Sequence, residues 1–232
     1  MPAKPYYEND LVKLYHANCL DHLADIQGGV IITDPPYNVG YHYDECEDSM
    51  DEETYYTMLS SIFDRPSVVI HYPEALFRVS QAMGVFPSRT VAWVYPSNTP
   101  RQHRMIAWFG CKPDFRKDGQ DYRNPNDPRI AKRILEGKRA RLYDWWEINQ
   151  VKNVSSEKTE HPCQIPFALM KRIIRITETD LVIEPFTGSG TTLLAAQSLN
   201  RKAIGFEMSE RYCEISAKRI DSAWRSSNTL QL

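Results

Sequence analysis

The sequence predicts an α/β fold in which a mostly parallel sheet is flanked by crossover helices. Three observations lead to this prediction. Short apolar, β-branched runs alternate along the chain with longer segments of helical periodicity. The length of 232 residues suits one domain with an insertion better than two independent domains. The composition, 42% apolar and 25% charged, is that of an ordinary globular protein and permits a sizeable core.

The apolar runs predict strands, and the segments between them predict helices. Strands are expected at residues 30–33, 67–71, 90–95, 105–109, 181–183 and 202–206. Helices are expected at residues 19–26, 73–83, 166–176, 191–199 and 209–223. Ser209 is a suitable N-cap for the last helix, in which Cys213, Ala217 and Ile220 share one face. The polar tail beyond Ala223 is expected to fray.

Residues 111–152 interrupt this rhythm and are expected to form an insertion within the single domain 1–232. Prolines and glycines punctuate the segment. Between residues 116 and 141, nine Lys or Arg stand against four Asp or Glu, a local charge of about +5 in a chain whose net charge is −2. Such a charge run suits either a solvated surface or contact with phosphate groups.

Several classes of protein are excluded by bulk properties. No apolar run approaches the ~20 residues that a membrane-spanning helix needs, so a membrane protein is not expected. The N-terminal segment lacks the apolar stretch of a secretory leader, which predicts a cytoplasmic location. The five cysteines, at positions 19, 46, 111, 163 and 213, form no CxxC pair and are expected to be reduced packing residues. Neither a disulfide framework nor a metal site is predicted.

A glycine-rich turn follows the apolar strand near residue 181 and leads directly into a helix. Gly188 and Gly190 allow backbone to approach a ligand, and the helix that follows offers N–H groups and a positive dipole end. The third glycine of a dinucleotide fingerprint and the lysine of a P-loop are both absent. The next strand ends in Glu207, a carboxylate suited to ribose hydroxyls. The pattern predicts a nucleoside site without a phosphate clamp, with a tight turn that binds nothing as the alternative.

A second turn, Asp-Pro-Pro-Tyr at residues 34–37, follows the strand at 30–33. Consecutive prolines fix the backbone and remove two N–H donors, so neighbouring carbonyl groups stay available as acceptors. The Asp34 carboxylate and the Pro35 carbonyl are suited to accept both hydrogens of an amino group, and Tyr37 is suited to stack on a ring. The turn therefore predicts a site for an aromatic amine, unless it serves only to end the strand.

Together these motifs resemble the DNA amino-methyltransferases of the β class, in which the catalytic turn precedes the cofactor loop. The Asp-Pro-Pro-Tyr turn matches their catalytic motif, and Glu-Pro-Phe-Thr-Gly-Ser-Gly-Thr-Thr at residues 184–192 is a close version of their cofactor loop. Residues 144–149 and 158–166 resemble the segment that leads into a helix near the methionine end of the cofactor. The resemblance covers residues 11–37 and about 144–220.

The resemblance implies a Rossmann-like class I methyltransferase with a mostly parallel seven-stranded sheet, an antiparallel last strand and a permuted motif order. It implies S-adenosyl-L-methionine as cofactor and direct transfer of its methyl group to an amino group in DNA, without a covalent enzyme intermediate. The leading Asp34 favours adenine N6, and cytosine N4 stays open. The implied catalytic residues are those of the turn itself, Asp34, Pro35, Pro36 and Tyr37.

The implied cofactor residues are Asn18, Cys19, His161, Gln164, Glu184, Phe186, Gly188, Ser189, Gly190, Thr191, Thr192 and Glu207. Three positions depart from the family pattern: Asn18 stands where an aspartate is usual, Glu184 replaces an aspartate, and Ile165 replaces a lysine. Asn18 still offers a carbonyl acceptor to the adenine amino group of the cofactor, but it offers no charge.

The insertion at about 111–152 occupies the place of the family's target-recognition region. The residues expected to contact DNA phosphates are Arg116, Lys117, Arg123, Arg129, Lys132, Arg133, Lys138, Arg139 and Arg141, with Tyr122 and Tyr143 near bases. Expected partners are double-stranded DNA and, by family analogy, a second copy of the chain and a restriction endonuclease of the same system. Alternative readings are a methyltransferase acting on RNA or protein, a non-catalytic DNA-binding subunit and an NAD-dependent oxidoreductase.

Overall fold

The computed structural model describes residues 4–41 and 48–229. Its strands are β1 (Tyr7–Glu8), β2 (Val12–His16), β3 (Val30–Thr33), β4 (Ser67–His71), β5 (Arg89–Val94), β6 (His103–Phe109), β7 (Gly119–Gln120), β8 (Ala140–Arg141), β9 (Trp145–Glu147), β10 (Leu181–Glu184) and β11 (Lys202–Glu207). Its α-helices are α1 (Glu52–Ile62), α2 (Pro73–Met83), α3 (Pro128–Leu135), α4 (Phe167–Ile176), α5 (Thr191–Ser198) and α6 (Glu210–Thr229). The described part of the chain contains no helix long and apolar enough to cross a bilayer.

The main sheet runs in the order β1-β2-β11-β10-β3-β4-β6-β5-β9. The strands β2, β11, β10, β3 and β4 are parallel, whereas β6 is antiparallel to both of its neighbours. This arrangement confirms the predicted mostly parallel α/β sheet. In the described residues it has nine strands instead of seven, because the short strands β1 and β9 extend it at its two edges.

Apolar cores lie on both faces of the sheet. Successive residues of a strand point to opposite faces, and Ile31 and Ile32 of β3 accordingly belong to different cores. Helices α4, α5 and α6 cover the face of Ile32, while α1 and α2 cover the face of Ile31. Trp93 of β5 and Trp108 of β6 are buried in these cores. The parallel strands are thus covered on both sides, which fixes their ligand-facing ends at one edge.

Two predicted helices, at residues 19–26 and 209–223, differ from the structure. Residues 19–26 form two 3₁₀ helices, Cys19–Asp21 and Leu23–Asp25, because the backbone angles of His22 interrupt the segment. The last helix extends to Thr229, beyond the point where fraying was expected. Ser209 directly precedes it, but its hydroxyl makes no hydrogen bond to the described residues and so does not act as the expected cap.

The basic segment, defined here as residues 116–141, lies mainly on the surface. Helix α3 has no buried residue, and β7 and β8 form a separate two-stranded ribbon. Asp118 anchors the segment by accepting hydrogen bonds from Arg172 and Arg175 of α4. Part of the predicted insertion at residues 111–152 belongs to the main sheet and its core, because β9 pairs with β5 and Trp146 is buried.

The described cysteines are reduced. Cys19 and Cys213 are buried and Cys111 is half-buried, which fits the packing role expected for them. Cys163 is exposed, so the packing prediction is wrong there. Cys46 lies outside the described residues.

Candidate active site

A cavity of about 420 Å³ opens at the edge of the sheet where the parallel strands end. It is lined by residues that follow β2, β3, β4, β10 and β11. Because β6 runs the opposite way, its first residues reach the same edge, and Arg104 also lines the cavity. A volume of this size is suited to a ligand of nucleoside dimensions.

The cavity brings together most of the residues predicted for catalysis and cofactor binding. Those that line it are Asn18, Cys19, Asp34, Pro35, Pro36, Tyr37, His161, Glu184, Phe186, Gly188, Ser189, Thr191, Thr192 and Glu207. Gln164 and Gly190 do not line it. The Gln164 amide instead braces its own loop, accepting from Thr159 and donating to the Glu157 carbonyl oxygen.

Glu207, at the end of β11, holds the first glycine of the loop in place. Its Oε2 accepts a hydrogen bond of 2.7 Å from the Gly188 amide, and its Oε1 accepts one of 2.8 Å from the Ser209 amide. Burial raises the pKa of Glu207, and the amide hydrogen bonds oppose that rise. Each carboxylate oxygen keeps a free lone pair, so ribose hydroxyls can still donate to it. The Ser209 Oγ lines the same cavity, is buried, and has no hydrogen-bond partner among the described residues.

Close packing explains both glycines. Gly188 has φ +52°, and a Cβ there would lie 2.8 Å from Nε2 of His161. Gly190 has φ +77°, and a Cβ there would lie 2.9 Å from the side chain of Ser216 in α6. The Ser216 hydroxyl in turn donates to the Gly188 carbonyl oxygen at 2.7 Å. Gly190 therefore serves the approach of α6 to the loop and does not face the cavity.

Asn18 caps the first 3₁₀ helix, since its side-chain oxygen accepts from the Leu20 amide at 3.1 Å. The carbonyl acceptor that the sequence offers to a cofactor amino group is therefore already engaged once. A carbonyl oxygen has two lone pairs, so the predicted contact stays geometrically open.

Glu184 links the catalytic turn to the cofactor loop. One of its carboxylate oxygens accepts from the Thr33 hydroxyl and, at 3.1 Å, from the Phe186 amide. The other accepts from the Thr192 hydroxyl at 2.6 Å. Burial raises the pKa of Glu184 to about 8, against the opposing effect of these hydrogen bonds. The residue predicted to touch the cofactor thus also supports both loops of the site.

The free energy of unfolding is expected to depend on pH through the protonation of Glu184. Since its pKa in the folded protein is about 8, against about 4.3 in an unfolded chain, the folded state holds a proton between these values that the unfolded state has released. The contribution of Glu184 to the free energy of unfolding is fully present below about pH 4.3. It declines as the pH rises, by at most about 1.4 kcal/mol per pH unit. Because Glu184→Gln cannot titrate, the stability advantage of the wild type over it should be largest near the lower value and shrink toward pH 8. Urea unfolding followed by tryptophan fluorescence measures the difference.

The exposed Glu178, which pairs with Lys117 at 3.5 Å, provides the matched control Glu178→Gln. A wild-type to Glu184→Gln difference that stays constant over this pH window would contradict the assignment of a buried, protonated carboxyl group.

Asp34 lies at the centre of a compact polar cluster in the catalytic turn. The Tyr37 hydroxyl donates to Oδ1 of Asp34, and Nη1 of Arg104 donates to Oδ2 at 3.4 Å. The side chains of Asp34 and Arg104 are 16% and 19% exposed, so the pair is largely removed from water. Burial raises the pKa of Asp34, while the Arg104 charge and the Tyr37 hydroxyl lower it.

A chain of hydrogen bonds braces the turn from below. Nδ1 of His71 accepts from the Tyr72 amide, so in the neutral ring Nε2 carries the hydrogen and donates to the Tyr55 hydroxyl at 2.8 Å. Tyr55 then donates to the Pro36 carbonyl oxygen at 2.6 Å. Burial, with a smaller effect of Arg104, lowers the pKa of His71 to about 3, which keeps the ring neutral. No described residue donates to the Pro35 carbonyl, so the predicted second acceptor stays available.

Asp48 holds the loop that follows the catalytic turn. Its carboxylate accepts from the amides of Asn38, Val39 and Tyr41, at 2.7, 3.1 and 3.4 Å. Asn38 has φ +55°, a conformation that these contacts stabilise. These hydrogen bonds hold the backbone of residues 38–41 beside the site.

The predicted DNA-contacting residues lie apart from the cavity. All nine Lys and Arg side chains of the basic segment are exposed. Five pair with carboxylates, namely Arg116, Lys117, Arg129, Lys138 and Arg139. Arg123 and Arg133 lie over the rings of Trp145 and Tyr122. Exposed ion pairs contribute little to stability, so these side chains can exchange their partners for phosphates at small cost.

Sequence reasoning missed four contributors to the site: Arg104, Ser209, Asp48 and the His71–Tyr55 pair. His71 is buried under the catalytic turn. None of the four stands in a recognised motif, and their positions depend on tertiary contacts. Clusters of three or more His, Cys, Asp or Glu that would suit a metal ion do not occur in residues 4–41 and 48–229.

Comparisons with known proteins agree with this geometry. A family model for N6 and N4 methyltransferases, described as DNA methylase, matches residues 29–218. The type II methyltransferase M.ScaI of Streptomyces caespitosus is 27% identical over 269 residues, covering 97% of this chain and 86% of that protein. The DNA adenine methyltransferase YhdJ of Escherichia coli (strain K12) is 24% identical over 252 residues, covering 94% and 85%.

Solved structures share the fold. The PvuII DNA methyltransferase, described as cytosine-N4-specific, superposes with a TM-score of 0.69 at 21% identity, over 96% of this chain and 94% of that one. A structure of the M1.HpyAVI–SAM complex gives a TM-score of 0.61 at 21% identity, over 91% and 100%. At this identity the likeness concerns the fold, and it confirms the predicted Rossmann-like architecture.

Proposed function

Because the chain belongs to the N6/N4 DNA methylase family and is therefore a DNA methyltransferase, we propose that it methylates the N6 amino group of adenine in duplex DNA. The observation that carries the proposal is that the Asp-Pro-Pro-Tyr turn, the glycine-rich turn with Gly188, and Glu207 meet at one cavity. The first is suited to an aromatic amine and the other two to a nucleoside.

S-adenosyl-L-methionine is the cofactor, and the residues present fit it. Glu207 offers carboxylate lone pairs for the ribose, and the buried Ser209 hydroxyl offers a further group that no described residue engages in a hydrogen bond. Gly188, with no Cβ, packs closely against the ring of His161, and both residues line the cavity where the methionine end would be held. When bound, the cofactor supplies an electrophilic methyl group on a positively charged sulfur.

The catalytic turn supplies activation of the amine. An aromatic amino group is a poor nucleophile, since its lone pair is delocalised into the ring. Acceptance of its two hydrogens by the Asp34 carboxylate and the Pro35 carbonyl draws the nitrogen toward tetrahedral geometry and orients its lone pair. These two acceptors are fixed by the proline backbone and the Arg104 contact, so positioning and preorganised electrostatics provide most of the rate. No cysteine nucleophile takes part.

The target base has to leave the duplex to reach such a turn. Extrusion costs a few kcal/mol in lost stacking, which the aromatic ring of Tyr37 is suited to offset. The leading Asp34 favours adenine, as does the likeness to YhdJ, whereas the likeness to the PvuII enzyme keeps cytosine N4 as the second candidate. Both bases present the same pair of N–H groups to the acceptors.

The basic segment is proposed to hold DNA, with its nine exposed cations on phosphates. Residues 111–152 would then be the target-recognition region of a single catalytic domain. A homodimer is also proposed, supported by the family resemblance and by the exposed rings of Phe77 and Phe86. A cytoplasmic location and a restriction endonuclease in the same system are further proposals that rest on the resemblance.

The function is tested by incubating the protein with isotope-labelled S-adenosyl-L-methionine and mixed-sequence duplex DNA, followed by digestion to nucleosides and mass spectrometry. Labelled N6-methyladenine is the expected product. Labelled N4-methylcytosine would overturn the assignment of the base and keep the mechanism. Absence of label from DNA, with label entering RNA or protein in parallel reactions, would overturn the substrate class.

A further inference from the structure

Arg104 is held in an aromatic cage beside the catalytic turn. Its guanidinium carbon lies 4.8 Å from the ring centre of Tyr37, 5.4 Å from Trp93 and 5.9 Å from Tyr72. A planar guanidinium stacks on such rings in a fixed orientation, which a flexible ammonium group does not. The register Trp93↔Arg104 between β5 and β6 sets this position. Arg104 is thus rigid where it meets Asp34.

Stability alone does not account for this arginine. Its Nε is buried and has no hydrogen-bond partner among the described residues. A buried donor without an acceptor costs free energy, and a largely buried ion pair is weak support for folding. A residue that carries such costs next to a predicted catalytic group is a candidate for a functional role.

Both oxygens of Asp34 are engaged in this state. Tyr37 donates to Oδ1, and Arg104 donates to Oδ2. The ring of Tyr37 is also occupied, since it stacks on His71 at 4.3 Å and meets the edge of Tyr72 at 4.7 Å. Each oxygen of Asp34 keeps a second lone pair for a further donor, whereas a base that stacks on Tyr37 must displace one of the neighbours of that ring.

We propose that Arg104 is a positioning residue that keeps Oδ2 of Asp34 fixed while Tyr37 gives up Oδ1 to the amino group of the substrate base. The inference rests on the proposed function, in which Asp34 accepts from that amino group. Tyr37 is the donor that leaves, because the same movement frees its ring for stacking. Arg104 is the donor that stays, because its cage includes Trp93, which is buried in the sheet.

The pair also determines the charge of Asp34. The titratable and charged groups that surround it are Arg104 of β6, Tyr37 of the same turn, Glu184 of β10, Tyr55 of α1 and Tyr95 after β5, with His71 and Tyr72 facing Arg104. Arg104 is the one cation in this group of described residues. Since burial raises the pKa of Asp34, removal of the Arg104 charge raises it further. Methyl transfer requires the ionised form of Asp34. When the pH is lowered, such a variant therefore loses activity at a higher pH than the wild type does.

The test is single-turnover methylation of mixed-sequence duplex DNA at saturating cofactor, measured from pH 5.5 to 9 for the wild type and for Arg104→Met and Arg104→Lys. Arg104→Met should be slowed roughly 30-fold or more near pH 7 and should recover with rising pH, with its inflection at least about one unit above that of the wild type. Arg104→Lys should restore the inflection but only part of the rate, because lysine keeps the charge and loses the stacked geometry. The same measurements in the Glu184→Gln background remove the titration of that carboxyl group from the profile.

Arg89→Met is the matched control, since Arg89 also stacks on a ring, that of Phe115, at the opposite end of the β5–β6 pair. It should leave the pH profile unchanged. Calorimetric binding of S-adenosyl-L-methionine to each variant shows that the fold is kept. If Arg104→Met keeps the pH profile of the wild type while Asp34→Asn is inactive in the same assay, the proposed role of Arg104 is wrong and that of Asp34 stands. If Asp34→Asn is also active, the proposed role of Asp34 fails first.

Discussion

Replacing Asp34 with alanine is expected to slow methyl transfer roughly 1,000-fold while leaving the affinity for S-adenosyl-L-methionine within about threefold of the wild type. The variant removes the acceptor that orients the amino group, and no other carboxylate takes its place, because Glu184 is already engaged by Thr33 and Thr192. The measurement combines single-turnover rates with calorimetry of cofactor binding.

Asp34→Ala also leaves the Arg104 charge without its partner, so thermal unfolding accompanies the assay. Asp34→Asn keeps the shape of the side chain and is expected to be nearly as inactive, since its amide turns a donor toward Arg104 or Tyr37. Asp10→Ala, at an exposed aspartate between β1 and β2, should behave as the wild type. Substantial activity in both Asp34 variants would rule out this residue as the acceptor.

Replacing Glu207 with glutamine is expected to weaken cofactor binding on the order of 100-fold. Both carboxylate oxygens accept backbone hydrogen bonds, from Gly188 and Ser209, so an amide NH₂ must face one N–H group and loses that bond. It also loses a charged acceptor for the ribose, and hydrogen bonds to charged groups are worth about 1.5–3 kcal/mol each. Isothermal titration with S-adenosyl-L-methionine measures the effect directly.

The control for this variant is Glu210→Gln, in the exposed first turn of α6, which should bind the cofactor normally. Methyl transfer by Glu207→Gln at very high cofactor concentration should approach the wild-type rate, because the catalytic turn is untouched. An unchanged dissociation constant would contradict the assignment of Glu207 to the ribose.

The parallel core of the fold was predictable because its strands carry their signal locally. β3 and β4 are short, apolar and β-branched, and both have the predicted bounds. β2 was missed because its five residues include the exposed polar residues Lys13 and His16, which break the apolar run. α1 was missed although Asp51 caps it and Tyr55, Leu59 and Ile62 share its buried face, since its mean polarity hides that spacing.

The two ligand loops were predictable because each is one continuous run of residues after a strand. The remaining parts of the site were not. Arg104 reaches Asp34 across 70 positions of sequence through an antiparallel register, which no local pattern encodes. Gln164 is the opposite case, since it stands in a motif-like segment, yet its amide makes hydrogen bonds to its own loop. Trp146 likewise lies in a segment of irregular appearance, and tertiary packing against Trp108 places it in the core.

Glu184 joins the two ligand loops through shared hydrogen bonds, so we expect their stabilities to be coupled. Its carboxyl group rests on Thr33, beside the acceptor of the base, and on Thr192, in the helix that follows the cofactor loop. A ligand that shifts either threonine changes the free energy of the other loop through this shared support. Thermodynamic linkage requires this effect to be reciprocal. If bound cofactor increases the affinity for DNA by some factor, bound DNA increases the affinity for the cofactor by the same factor.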